Sequence, residues 1–198
     1  MIRLFDSHYG KDRIVLAPGE YCSSSENLLL FTVLGSCVAV CLRDPLARIG
    51  GMNHYMLPRS LPNSPNDMQP PARIGQVAME LLLDQMLRSG ASRGNLVAKV
   101  FGGSHVLATG KHSAQLPGAN VQFALDYLAQ ERIPIVAQDT GGRRARKVTF
   151  DVASGEAFVE KLAALGREEP GSDPNDSAET PGEGRFGLVS WSNRAPAR

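Results

Sequence analysis

Six short apolar runs, at 28–34, 38–42, 51–57, 96–101, 133–138 and 147–152, are each bounded by Gly, Pro, Asp or Ser. Runs of that length with those boundaries read as β-strands. Only two stretches carry helical spacing. Over 72–89 the residues Ile74, Val77, Ala78, Leu81, Leu82 and Met86 recur at helix period, with Pro70 and Pro71 ahead and Gly90 behind as start and stop signals. Over 120–130 the residues Val121, Ala124, Leu125 and Leu128 repeat the pattern. A chain patterned this way is expected to fold as an α/β or α+β protein with strands supplying most of its core.

At 198 residues, one domain with a substantial core is expected. From Arg167 onward Pro170, Pro174, Pro181 and Pro196 alternate with Gly, Ser, Asp and Glu, so the domain is expected over 1–166 and a disordered tail over 167–198. Phe186, Leu188, Val189 and Trp191 form one apolar island in that tail, read here as solvated. With 21 Lys plus Arg against 20 Asp plus Glu, bulk charge points to no nucleic acid. The first residues lack the apolar run of a signal peptide, and no stretch approaches the ~20 apolar residues of a membrane span, so a cytoplasmic protein is expected.

Three cysteines, Cys22, Cys37 and Cys41, are too few for a disulfide framework and are expected as free thiols. The segment from Thr32 to Pro58 reads as strand, sharp turn, strand, hairpin loop, strand. Asp44-Pro45 starts a turn, because Asp bonds its own downstream backbone and Pro presets φ. With the hairpin centred between Pro45 and Leu46, Arg43 faces Arg48, Cys41 faces Gly50 and Cys37 faces His54. Directly opposed residues hold their Cβ atoms ~4.5 to 5.5 Å apart, which suits a nucleophile and its base. A thiol needs that neighbour: free cysteine, with a pKa of ~8.5, is only slightly ionised at neutral pH, and a nearby imidazolium lowers that value. Gly35-Ser36, just ahead of Cys37, can aim backbone N–H groups at a developing oxyanion. Thr32 is the candidate to orient the imidazole. Cys41 reads as an inert core thiol.

A metal site on Cys37, Cys41 and His54 fails on geometry, because four residues of strand span ~13 Å. Asp139-Thr140-Gly141 has no second copy to form a carboxylate dyad. Gly102 and Gly103 end a strand, where glycine marks a turn or a close backbone approach, here assigned to substrate. Arg143, Arg144, Arg146 and Lys147 read as a solvated basic patch, and His8, His105 and His112 as surface or structural.

At Leu34-Gly35-Ser36-Cys37, Gly50-Gly51-Met52-Asn53-His54-Tyr55-Met56-Leu57-Pro58, Ala78-Met79-Glu80, Lys99-Val100-Phe101-Gly102-Gly103 and Asp139-Thr140-Gly141-Gly142, the chain resembles the chemoreceptor glutamine deamidase family, CheD. These motifs stand in family order over about 15–162, and the family's cysteine and histidine fall on Cys37 and His54. The family's threonine can stand six residues before the cysteine, where this chain has Phe31 and places Thr32 at five. Where the family often shows Ile-Gly-x-Arg-Asn, this chain has Leu116-Pro117-Gly118-Ala119-Asn120. The resemblance implies a layered α/β/β/α fold with mixed sheets, cysteine-hydrolase-like. It also implies protein-glutamine glutaminase activity on the cytoplasmic helices of methyl-accepting chemoreceptors, often with methylesterase activity. No cofactor is implied; a partner, the chemotaxis phosphatase CheC, is implied in some organisms. Two other readings stand beside this one. A regulatory binding partner of a phosphatase or receptor would not need Cys37, and a thiol redox sensor would need a resolving cysteine better placed than Cys41.

Overall fold

A computed structural model describes residues 1–57, 71–106, 115–163 and 187–189. Two mixed sheets pack face to face. The first has six strands: β1 (Ile2–Asp6), β2 (Lys11–Val15), β4 (Leu29–Leu34), β9 (Arg146–Asp151), β10 (Ala157–Lys161) and β11 (Gly187–Val189), in that spatial order. The second has five, in the order β3 (Tyr21–Ser24), β6 (Ile49–Asn53), β5 (Val38–Asp44), β7 (Val97–Gly102) and β8 (Ile135–Thr140). Pairing is antiparallel except at β2 with β4 and β7 with β8.

Strand β5 shows why the layers form. Val38, Val40 and Leu42 point to a core shared with the helices, while Ala39 and Cys41 point to a core between the sheets with Leu30, Leu34, Phe101 and Phe150. A strand buried on both faces reads as an unbroken apolar run.

Both helices, α1 (Pro71–Arg88) and α2 (Leu116–Gln130), lie against the five-stranded sheet, so the described residues build three layers, α/β/β, of the four expected. Helix α1 buries Met79, Leu82, Leu83 and Met86; Val77 and Leu81, expected in its core stripe, are exposed. It ends where expected: Gly90 takes φ +102° and the Ala91 N–H reaches back to the Met86 carbonyl. Helix α2 starts four residues before the expected Asn120, because Pro117 is tolerated in a first turn.

Strands β1, β2, β3 and β10 lie outside the six expected runs; β1 is mostly exposed and β2 carries Lys11, Asp12 and Arg13. Of the expected tail, Gly187–Val189 pair with the edge of β10, Leu188 opposite Phe158. The edge of β10 offers N–H and C=O groups for this backbone pairing. Phe186, Trp191 and the rest of the tail lie outside the described residues, as do His112 and the loop 58–70.

Candidate active site

The β5–β6 hairpin pairs Asp44 with Ile49 and Cys41 with Met52, and an isolated bridge pairs Val38 with Tyr55. Its loop therefore holds four residues, Pro45 to Arg48. The Asp44 carboxylate accepts the Leu46 and Ala47 N–H groups, and Arg48 takes φ +58°. The loop is two residues longer than the tight turn expected, so His54 lies opposite Ala39 rather than Cys37, and Cys37 lies opposite Met56. A slip of two preserves the face. Cys37 and His54 thus remain on one face of the sheet, the inner one, as diagonal neighbours whose Cα atoms such a register separates by ~7 to 8 Å.

The ladder is interrupted at His54. Val40 N–H donates to the Asn53 side chain instead of a backbone carbonyl, at 3.0 Å. The His54 backbone turns to the loop ahead of β3, donating to the Glu20 carbonyl at 2.9 Å and accepting from Gly19 N–H at 2.7 Å. This frees the ring to meet Thr32, which comes from the other sheet. Thr32 Oγ1 lies 2.7 Å from His54 Nδ1 and 2.8 Å from the Leu16 carbonyl oxygen. A hydroxyl has one proton, and a carbonyl can only accept. The Thr32 proton therefore goes to Leu16, and Thr32 accepts from Nδ1–H. That fixes the tautomer with a lone pair on Nε2. Thr32 is 1% and His54 3% exposed, and Nε2 has no hydrogen-bond partner among the described residues. The neighbouring Phe31 points to the opposite face of the sheet, under the Arg13 guanidinium, so strand parity gives the position to Thr32.

Cys37 is half-buried at the end of a turn that carries Gly35 and Ser36. The N–H groups of Ser36 and Cys37 find no carbonyl acceptor among the described residues. Gly102 and Gly103, assigned above to substrate, also bond the protein's own backbone. Gly103 N–H donates to the Cys37 carbonyl at 2.7 Å, and the Gly102 carbonyl accepts from Gly141 N–H at 2.9 Å. Both have positive φ, and a Cβ on Gly102 would overlap the Cys37 carbonyl oxygen. They hold the Cys37 backbone in place.

Burial pushes the Cys37 thiol up, with its own backbone N–H opposing weakly. Burial pushes His54 down, partly offset by the Leu16 carbonyl and the Glu20 carboxylate. Burial thus favours the neutral form of both groups. Iodoacetamide alkylation of Cys37 in the free protein should accordingly climb only as pH rises past ~8.5. A rate plateau at pH 5 to 7 is the signature of a preformed thiolate–imidazolium pair and would refute the neutral resting state.

Two residues of the surroundings escaped the sequence reading. Arg146, placed there in a solvated patch, is 2% exposed. It donates to the Gly102, Asp139 and Gly141 carbonyls, each at 2.8 Å, and so pins the glycine-rich ends of β7 and β8. Asn120 donates to the Ser36 carbonyl at 2.7 Å and accepts the Leu57 N–H at 2.8 Å. A hollow of about 260 Å³, lined by Tyr9, Arg13, Phe31 and Phe158 among others, opens on the opposite face of the six-stranded sheet from Thr32. Its cations are paired, Arg13 with Asp6 and Lys147 with Glu160, and its lining includes neither Cys37 nor His54.

Residues 56–161 match the family described as CheD chemotactic sensory transduction. A Shewanella oneidensis protein named "Probable chemoreceptor glutamine deamidase CheD 1" is 45% identical over 163 residues, which cover 82% of this chain and 79% of that one. A Burkholderia thailandensis protein of the same name is 43% identical over 178 residues, 84% of this chain and 76% of that one. Among solved structures, a Neisseria meningitidis protein of family DUF152 superposes with a TM-score of 0.40 at 11% identity, over 62% of this chain and 53% of that one, too distant to inform the site. With the family description spanning more than half of its residues, and relatives above 40% identity along most of its length, this chain belongs to the CheD family.

Proposed function

We propose that this protein hydrolyses glutamine side-chain amides on the cytoplasmic helices of chemoreceptors, giving glutamate and ammonia. The observation that carries this is the oriented imidazole. Thr32 fixes Nδ1–H, leaving the Nε2 lone pair on the face it shares with the half-exposed Cys37. The names of the relatives supply the substrate class.

Nε2 takes the Cys37 proton as Sγ attacks the amide carbon, and the carbonyl oxygen gains negative charge near the Ser36 and Cys37 N–H groups, which donate to no carbonyl among the described residues. His54 then returns the proton to the departing nitrogen, which leaves as ammonia. Water, deprotonated by His54, attacks the thioester and restores the thiol. A methyl ester in place of the amide would leave as methanol by the same steps. Such chemistry belongs in the cytoplasm, where thiols stay reduced. A phosphatase such as CheC, docked over Cys37, would compete with receptor. No helix among the described residues is long and apolar enough to cross a membrane.

The test is mass spectrometry of a purified receptor cytoplasmic domain after incubation with the protein. A gain of ~1 Da per modified glutamine with release of ammonia is expected. No gain across the receptors of one cell would sink the reading.

Thr32→Val should lower kcat about 10- to 100-fold with KM little changed, since it removes the acceptor for Nδ1–H while leaving the ring in place. Steady-state kinetics on the same receptor checks this, and an unchanged kcat would remove Thr32 from the mechanism.

A further inference from the structure

We infer that Asn120 is a positioning residue of the reaction, aiming the Cys37 N–H at the oxygen that becomes negative. The inference rests on the Cys37 hydrolase reading above. Asn120 is fully buried in the second turn of α2 and bonds the segments that carry Cys37 and His54. Its side-chain amide donates to the Ser36 carbonyl at 2.7 Å, its side-chain oxygen accepts the Leu57 N–H at 2.8 Å, and its own carbonyl accepts the Tyr55 hydroxyl at 2.7 Å. These partners flank the two reacting residues: Ser36 precedes Cys37, and Tyr55 and Leu57 follow His54.

The backbone ladder cannot supply this constraint alone, because its pairing breaks at Asn53 and His54 and resumes only at the Val38–Tyr55 bridge. The Ser36 carbonyl and the Cys37 N–H belong to one planar trans peptide and point in opposite directions. Holding the carbonyl on the α2 side therefore directs the N–H away from α2. That N–H finds no carbonyl acceptor among the described residues. The bond to Asn120 thus sets the direction of a donor that no carbonyl among the described residues takes up.

Two probes of Cys37 separate this role from a merely structural one. Iodoacetamide alkylates the sulfur by displacement and forms no oxyanion, whereas p-nitrophenyl acetate acylates it through a tetrahedral oxyanion and releases p-nitrophenolate. In Asn120→Asp, which keeps the volume and the acceptor for Leu57 but loses the donor, acylation of Cys37 should fall roughly 30- to 100-fold while alkylation stays within about twofold. Asn120→Ser should show the same split. Equal loss of both rates, or loss of neither, overturns the inference. If both variants fail to fold, amide hydrogen exchange in the unmutated protein decides. A thiohemiacetal formed at Cys37 with acetaldehyde should slow exchange of the Cys37 N–H, and unchanged exchange overturns the inference. Neither probe involves a receptor, so a failure to deamidate receptor would sink the substrate reading without altering this ratio.

Discussion

Cys37→Ala is expected to leave receptor glutamines unmodified, at a rate on the order of 10⁴- to 10⁶-fold below that of the unmutated protein. The size follows from what remains. Without Sγ the amide can be cleaved only by direct attack of water, and the Nε2 lone pair, oriented for a thiol, has no activated nucleophile to serve. The fold should survive, because the backbone of Cys37 is held by groups that alanine keeps: Gly103 N–H on the Cys37 carbonyl and the Val38–Tyr55 bridge beyond it. Cys41→Ala is the paired control. Cys41 is buried between the sheets, and burial drives its thiol far above the ordinary range, so it is closed to chemistry near neutral pH. Its loss should affect stability and leave the ~1 Da mass gain per glutamine intact. Continued deamidation by Cys37→Ala would exclude a covalent mechanism at this residue. A protein that modifies no receptor, yet keeps its effect on chemotaxis when Cys37 is replaced, would instead be the regulatory partner that the sequence also allows.

The sequence made the strands nearest Cys37 legible because their surroundings are apolar on both sides. Strand β5 buries residues toward the helices and toward the other sheet and reads over 38–42 as an uninterrupted run, and β7 does so apart from Lys99. Strand β2, Lys-Asp-Arg-Ile-Val, is no such run, because only a sheet already in place makes a strand of it. Cys37 and His54 could be put on one face from strand parity alone, because an error of two residues in the hairpin leaves parity unchanged. Their offset could not, since it depends on the four-residue loop that the Asp44 carboxylate caps.

Contacts between sheets were beyond local reasoning. Thr32 and His54 are 22 residues apart on different sheets, and spacing rules connect only residues within one element. Thr32 was reached from its place on the strand ahead of Cys37, although the family's spacing pointed one residue earlier, and its hydroxyl's place on Nδ1 came only through the structure. Arg146 shows the opposite failure. Among four cations in five residues it reads as surface, yet three carbonyls from strand ends that meet only in the fold satisfy its guanidinium. The signal was present in the glycines at 102 and 141, which leave carbonyls without a side chain above them for a guanidinium to reach.

Gly102→Ala should be the most damaging change that leaves every reacting group in place. Gly102 sits at φ +110°, beyond the narrow left-handed region that other residues enter, a strain of roughly 1 to 3 kcal/mol. The added methyl would also overlap the Cys37 carbonyl oxygen and come within 3.1 Å of the Val38 Cα. Both are backbone atoms, so relief requires moving the strand and not a side chain, which adds about 1 to 3 kcal/mol. The total, about 2 to 6 kcal/mol, is a large part of the stability of an ordinary domain, ~5 to 15 kcal/mol. Urea unfolding should therefore show a loss of at least ~2 kcal/mol. Whatever remains folded should deamidate more than ~10²-fold slower, because the strain is relieved by displacing Cys37 from the amide carbon. Gly141→Ala is the comparison that isolates the cause. Gly141 has φ +75° with open space where its methyl would stand, so only about 1 to 2 kcal/mol of backbone strain is at stake there. If the two substitutions cost the same and spare activity alike, the end of β7 does not hold the nucleophile, and the close approach of Gly102 to Cys37 is packing without consequence for the reaction.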